Sequence, residues 1–252
     1  MAYPHHAQPD SPTMRTTAPL ALVASLALLT AACGVLGGGK RVSGTGPLVT
    51  DNRRLTPIDE IVLEAGVDLI VIRGDQQTVN VSAQDEIQPL LKTEVDNGKL
   101  TVSIDGNVNM DGGTNVELVL TNLESLKIES SGNVSVRGFR GDKLKLSSEG
   151  SGNLAALELD YDDLDLSTGG SGDIDLAGAA DDVTIALTAS GDVDAYDLAA
   201  KKVKVTSKGS GDVRVNVSDD LDAEVKGSGS VYYRGNPEMK IKDEGSGSVT
   251  AE

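Results

Sequence analysis

The sequence predicts an all-β fold, a single-stranded parallel β-helix (solenoid) with coils of about 18–20 residues. Three observations predict it. A Ser-Gly-polar-aliphatic unit recurs seven times at spacings of 18 to 20 residues. Each unit holds two short segments in which apolar and polar residues alternate with period two. The chain has 29 glycines but only 2% aromatic residues, so small and branched aliphatics must fill its interior.

The recurring glycines are Gly132, Gly152, Gly172, Gly191, Gly211, Gly229 and Gly247. Serine precedes each one, and Asn, Asp or Ser followed by an aliphatic comes after it. In the segment after the corner, Val134/Val136, Ile174/Leu176, Val193/Ala195, Val213/Val215 and Val231/Tyr233 point one way. Ser135, Asp175, Asp194, Arg214 and Tyr232 point the other. The second segment repeats with Leu126/Ile128, Leu144/Leu146, Leu164/Leu166, Val183/Ile185, Val203/Val205, Leu221/Ala223 and Met239/Ile241 on the inner face. Its outward column runs Lys127, Lys145, Asp165, Thr184, Lys204, Asp222 and Lys240, with opposite charges in neighbouring coils at several places.

A unit of this length is too short for a strand-helix-strand crossover. It suits one coil of a β-helix, in which equivalent positions stack about 4.8 Å apart. The corner glycine would supply the tight turn and tolerate a left-handed dihedral. A two-layer β-sandwich of antiparallel hairpins is the alternative, but near-equal intervals favour one path repeated.

Residues 48–122 are strand-rich and less regular, with strands expected at 60–64, 67–72, 78–82, 100–104 and 116–120. A helical turn or loop is expected around Pro89. This region forms the first coils or a cap over the open end, and 123–252 holds the regular repeats. Tyr232, Tyr233, Pro237 and the charged run 240–244 would blunt the other end.

Residues 1–32 read as an N-terminal extension and a lipoprotein signal peptide. Arg15 precedes the apolar run 20–32, which ends Ala31-Ala32-Cys33, and Met14-Arg15 is a normal start. Thr30 stands where such signals usually carry Leu. Cys33 is the expected lipid attachment site, and two acyl chains there would anchor the protein durably. Residues 33–47 read as a flexible tether. The expected location is extracytoplasmic, lipid-anchored to a bacterial cell membrane or outer membrane.

The net charge of −17 argues against nucleic acid as a partner. Both histidines precede Cys33, so the mature chain offers no His base and no His-ligated metal. Asp173, Asp192 and Asp212 occupy equivalent corner positions and would stack as carboxylates, a candidate Ca²⁺ site. Asn133 and Asn153 in the same column favour a different role, Asx turns in which the side chain bonds its own backbone. No cofactor other than that ion is suggested, and no Ser-His, P-loop or dinucleotide pattern occurs.

Taken with Glu60-Ile61-Val62-Leu63, Val67-Asp68-Leu69-Ile70-Val71, Leu90-Leu91-Lys92-Thr93-Glu94-Val95 before Gly98-Lys99-Leu100, and the Ser-Gly corners, the chain from Leu48 to Thr250 resembles the bacterial head-GIN-domain family of autotransporter adhesin heads. The resemblance implies a secreted or lipid-anchored β-helical protein and supplies no catalytic residues. The sequence departs from the autotransporter pattern because no membrane β-barrel translocator follows Glu252. The function expected is a non-enzymatic, adhesin-like binding or scaffolding module of the cell envelope. Its expected partner is an envelope polysaccharide or a surface protein. The alternatives are a polysaccharide-active enzyme on a β-helix, with a cleft of paired carboxylates, and a calcium-responsive structural protein.

Overall fold

Period-two alternation commits each repeat to strands with one buried face, and like positions one coil apart then stack. The computed structural model describes residues 41–110 and 112–252. Cys33, the signal segment and the start of the tether lie outside them. Nineteen strands are present: β1 Val42–Gly44, β2 Leu48–Asn52, β3 Glu60–Leu63, β4 Asp68–Arg73, β5 Thr78–Gln84, β6 Leu91–Asp96, β7 Lys99–Ile104, β8 Val108–Met110, β9 Asn115–Leu120 and β10 Ser125–Ile128. They continue with β11 Val134–Arg137, β12 Arg140–Ser148, β13 Leu154–Thr168, β14 Ile174–Leu187, β15 Val193–Ser207, β16 Val213–Val225, β17 Val231–Arg234, β18 Glu238–Asp243 and β19 Val249–Ala251.

All pairings among β10 to β19 are parallel, which establishes the β-helix over the sandwich of hairpins. In β13, β14, β15 and β16 one strand runs through both predicted segments and the bend between them. A third inward column therefore appears at that bend, where Tyr161 stacks on Ala180, Ala200 and Val217. Two-segment alternation does not reveal it, because a β-bulge or register shift breaks the period there.

The inner ladders follow the predicted residues with two corrections. Leu144, Leu164, Val183, Val203 and Leu221 stack in one column, and Leu146, Leu166, Ile185, Val205 and Ala223 in the next; all are buried. Leu126 and Ile128, however, pair with Leu146 and Ser148, two residues later than the repeat suggested. Met239 and Ile241 take inward register positions opposite Leu221 and Ala223, yet they stand 52% and 46% exposed. The end of the helix lies there, on the strand that carries the charged run 240–244.

The seven corner glycines do not use left-handed dihedrals. Positive φ falls instead at Gly138, Glu158, Gly178 and Gly235, at the bend between the first and middle segments, in the Asn97-Gly98 hairpin turn, and at Gly106, Gly112 and Gly113 in the N-terminal region. The corners need glycine for space. A Cβ on Gly152 would lie 2.0 Å from the carbonyl oxygen of Gly132, and one on Gly172 would lie 2.0 Å from that of Gly152. Gly191, Gly211, Gly229 and Gly247 repeat the clash on the coil before, and Gly132 meets the Val67 carbonyl at 1.9 Å.

The N-terminal region supplies both coils and a cap. Strand β4 lies between β9 and β11, and β3 between β7 and β10, so the segment 99–120 stacks outside the earlier 60–73. Antiparallel β5 on β9, β2 on β5 and β6 on β7 then close that end. The last part of the predicted tether is docked on this cap. Val42–Gly44 pair with Val108–Met110 as β1 and β8, and the Glu86 carboxylate accepts hydrogen bonds from Thr45 Oγ1 (3.2 Å) and Gly46 N (3.0 Å). Its own backbone N–H, that of Gly46 and the Asp85 carboxyl hold Glu86 at a pKa of about 2. The same contact pushes Asp85 up.

Two outcomes follow from this packing. Gly172→Ala must displace a neighbouring backbone carbonyl and costs about 3 kcal/mol in urea denaturation, whereas Gly169→Ala, whose Cβ would meet only Thr188 Oγ1 at 3.6 Å, is tolerated. A carboxyl with a depressed folded pKa stabilises above its unfolded value, here near 4.5, and loses that contribution as the pH falls towards 2. The melting temperature therefore drops across that window, and Glu86→Gln removes part of the drop.

Candidate functional site

The corner residue after each glycine points outward and is held by the coil stacking. Asp68 Oδ1 accepts from Asn133 N at 2.9 Å, and Asn133 Oδ1 accepts from Asn153 N at 3.2 Å. Asn153, Asp173 and Asp192 each accept through Oδ1 from the next corner's N–H, at 2.9, 3.0 and 2.8 Å. Asp212 Oδ1 accepts from Ser230 N at 2.8 Å, and Ser230 Oγ from Ser248 N at 3.2 Å. The predicted Asx turn is thus replaced by a bond to the following coil. The physical reason is the spacing, since a β-helix brings the equivalent N–H one strand separation away. Asp and Asn are interchangeable here because both present the same acceptor oxygen.

The structure places Asp173, Asp192 and Asp212 in consecutive coils as predicted. The second oxygens of Asp192 and Asp212 face Arg214, at 3.7 Å each. Among the described residues, no three His, Cys, Asp or Glu side chains are grouped to hold a metal ion. The arrangement serves backbone bonding and charge pairing.

Arg214 belongs to a cluster that the repeat alone did not mark. Asp194, Arg214, Tyr232 and Thr250 are in register on the outer face of four successive coils. The Arg214 guanidinium carbon lies 5.5 Å from the Tyr232 ring centre, and that of Arg234 lies 3.7 Å from the Tyr196 ring centre. Both are cation–π contacts. Tyr196 sits at the register shift of β15, and its OH donates to Glu252 Oε2 at 2.7 Å. Burial and that hydrogen bond push its pKa up to about 12, so the phenol stays protonated. The 18–20-residue offset between Arg214 and Tyr232 was visible in the sequence. The contact of Arg234 with Tyr196 was not, because it spans two coils across a bulge.

Elsewhere a polar cleft of about 690 Å³ is lined by Glu60, Asn122, Glu124, Asp142, Lys143 and Lys145. It brings carboxylates and lysines together without an aromatic wall. The Tyr/Arg cluster differs in offering flat apolar rings among charges, the residue types that dominate recognition surfaces.

A parallel β-helix with a capped N-terminal end and a polar, ring-bearing outer face defines a surface-presenting solenoid. The chain belongs to the family described as "Putative auto-transporter adhesin, head GIN domain", whose profile matches residues 57–237. Its fold is similar to that of a putative adhesin from Bacteroides fragilis, with TM-score 0.81 and 24% identity over 84% of this chain and 100% of that one. It is also similar to a putative adhesin and to a putative lipid binding protein from Parabacteroides distasonis. Their TM-scores are 0.70 and 0.72 and their identities 24% and 23%, each covering 84% of this chain and 100% of the other. No curated protein matches it.

The inter-coil bond predicts a specific mutational contrast. Asp173→Ala leaves the Asp192 N–H without its acceptor and lowers stability by about 1 kcal/mol, whereas Asp173→Asn keeps the acceptor and stays within about 0.5 kcal/mol of wild type. Urea denaturation of the two variants checks it.

Proposed function

We propose that the chain is a lipid-anchored, extracytoplasmic, adhesin-like module of the bacterial cell envelope. On this reading Cys33 carries the lipid and the solenoid presents its outer face to an envelope polysaccharide or a surface protein. The Tyr196/Arg214/Tyr232/Arg234 cluster carries the reading. It gathers two cation–π pairs on the outer face of an acidic protein that is otherwise poor in aromatics. Tyrosine gives large contact area at small entropic cost, and arginine adds directed hydrogen bonds. A sugar ring or an extended peptide suits a surface of flat rings bordered by carboxylates.

Family membership supports the adhesin reading. Seven residues lie between Cys33 and Arg41 in the sequence, and the described chain enters the fold at the capped end. The cluster occupies the last coils, at the far end of the ladder from that entry.

The test is a binding screen of the full chain against envelope polysaccharides, peptidoglycan and extracts of surface protein. Saturable binding is expected, weakened at least tenfold by Arg214→Ala or Tyr232→Ala with the melting temperature held. Binding that ignores both substitutions removes the cluster from the reading. Cys33→Ser should move the protein from the membrane fraction to the soluble one.

A further inference from the structure

The two ends of the solenoid are finished differently. At the N-terminal end, antiparallel β2, β5 and β6 cover the coils. At the other end, β18 pairs only with β16 and β19 only with β17 among the described residues. No described strand covers their outer backbone edges. The inward positions of β18, Met239 and Ile241, stand 52% and 46% exposed, while Leu221 and Ala223 one coil earlier are 1% and 0% exposed. An open edge beside exposed apolar side chains is a template for another strand.

We propose that this end docks tail to tail on a second copy of the chain, by antiparallel pairing of β18 with its counterpart about a two-fold axis at Lys240. The side chains select the register. With Lys240 on the axis, Glu238 faces Lys242 of the second copy twice, and Met239 faces Ile241 twice. Inward residues thus meet inward ones and outward residues meet outward ones. Centring on Ile241 sets Asp243 opposite Met239, and centring on Lys242 sets Asp243 opposite Ile241. Centring on Met239 leaves Ile241 and Lys242 facing Pro237 and Asn236, outside the strand.

The one like-charge contact, Lys240 on Lys240, is relieved from within each chain, because Lys240 Nζ bonds Asp222 Oδ2 at 2.8 Å. Residues 238–242 hold two lysines and one glutamate, so the pairing segment itself brings no net negative charge to the contact. The capped ends cannot continue the ladder, so the contact is isologous and stops at two copies. The contact uses the backbone edge of β18, whereas the ring cluster lies on the outer face of β15, β16 and β17, so different variants test the two readings.

Cross-linking reads the register directly. Residues directly opposed across an antiparallel pair have Cα atoms about 4.5–5.5 Å apart, within disulfide range. In the full chain carrying Cys33→Ser, Lys240→Cys should form a dimeric disulfide under mild oxidation. Glu238→Cys and Lys242→Cys should each stay monomeric alone and cross-link when mixed. Sedimentation should give a concentration-dependent dimer, shifted to monomer at least tenfold by Ile241→Lys without a change in melting temperature. A monomer throughout 1–100 μM with no Lys240→Cys cross-link would overturn the proposal. So would a dimer indifferent to Ile241→Lys, or cross-linking through Lys242→Cys alone.

Discussion

Everything in this molecule depends on how closely the backbone of one coil lies on the next at the Ser-Gly corner. There the carbonyl of one glycine occupies the space that the next glycine's Cβ would need, at about 2 Å in corner after corner. A second column two residues earlier behaves alike, with Gly150, Gly170, Gly209, Gly227 and Gly245 each against a carbonyl of the coil before. Backbone bonds such as Ser210 N to the Ala189 carbonyl and Ser228 N to the Gly209 carbonyl cross the corner at 2.9 and 3.0 Å. Stacking this tight fixes the register. Once it is fixed, the Asx oxygen of one coil meets the N–H of the next without any further adjustment.

The interior follows from the same register. Like positions stack, so a column that begins with an aliphatic must continue with one of compatible size. The column nearest the corner shows the limit of this. It reads Ile128, Ser148, Thr168, Leu187, Ser207 and Val225, with the three hydroxyl residues buried among aliphatics. Thr188 Oγ1 donates to the Thr168 carbonyl there, so the backbone near the corner also serves side-chain donors. The one tyrosine within the core, Tyr161, lies beside Gly141 and sends its OH to the Leu123 carbonyl at 2.7 Å. Burial pushes that phenol well above the ordinary tyrosine range. Each coil contributes its own aliphatic burial and one interface, and so the stability of such an array grows nearly linearly with coil number. Outer ion pairs such as Lys143 with Asp165 and Lys201 with Asp181 join neighbouring coils, and being exposed they add little to stability.

The coil, its period and its inner residues were legible because they are local and recur. Val134, Ile174, Val193, Val213 and Val231 all point inward as the alternation required. What was illegible lies where a non-local partner decides. The role of the corner glycines needed the neighbouring coil, since spacing cannot separate a dihedral requirement from a steric one. The inter-coil bonding of the Asp column was illegible for the same reason, because the N–H that each carboxylate accepts from is 18–20 residues away. The out-of-order stacking of 99–120 on 60–73 carries no periodic signal at all. Strand β1 was hidden in a glycine-rich stretch that composition alone describes as a tether, until Glu86 and β8 are set beside it.

This division of labour explains how such a fold can carry recognition. Inward and corner positions repeat because stacking constrains them, but the outward column does not repeat. Across the first face it reads Ser135, Ala155, Asp175, Asp194, Arg214, Tyr232 and Thr250. Those side chains contribute little to holding the coils, so they are free to differ from coil to coil. Arginine and tyrosine enter the column only in the later coils, after the acidic residues that offset the guanidinium charge. A rod held by its backbone and its interior can therefore present an unrelated chemical surface at each level. The levels richest in rings and guanidinium groups, β16 and β17, lie towards the end of the ladder away from the cap on which β1 docks.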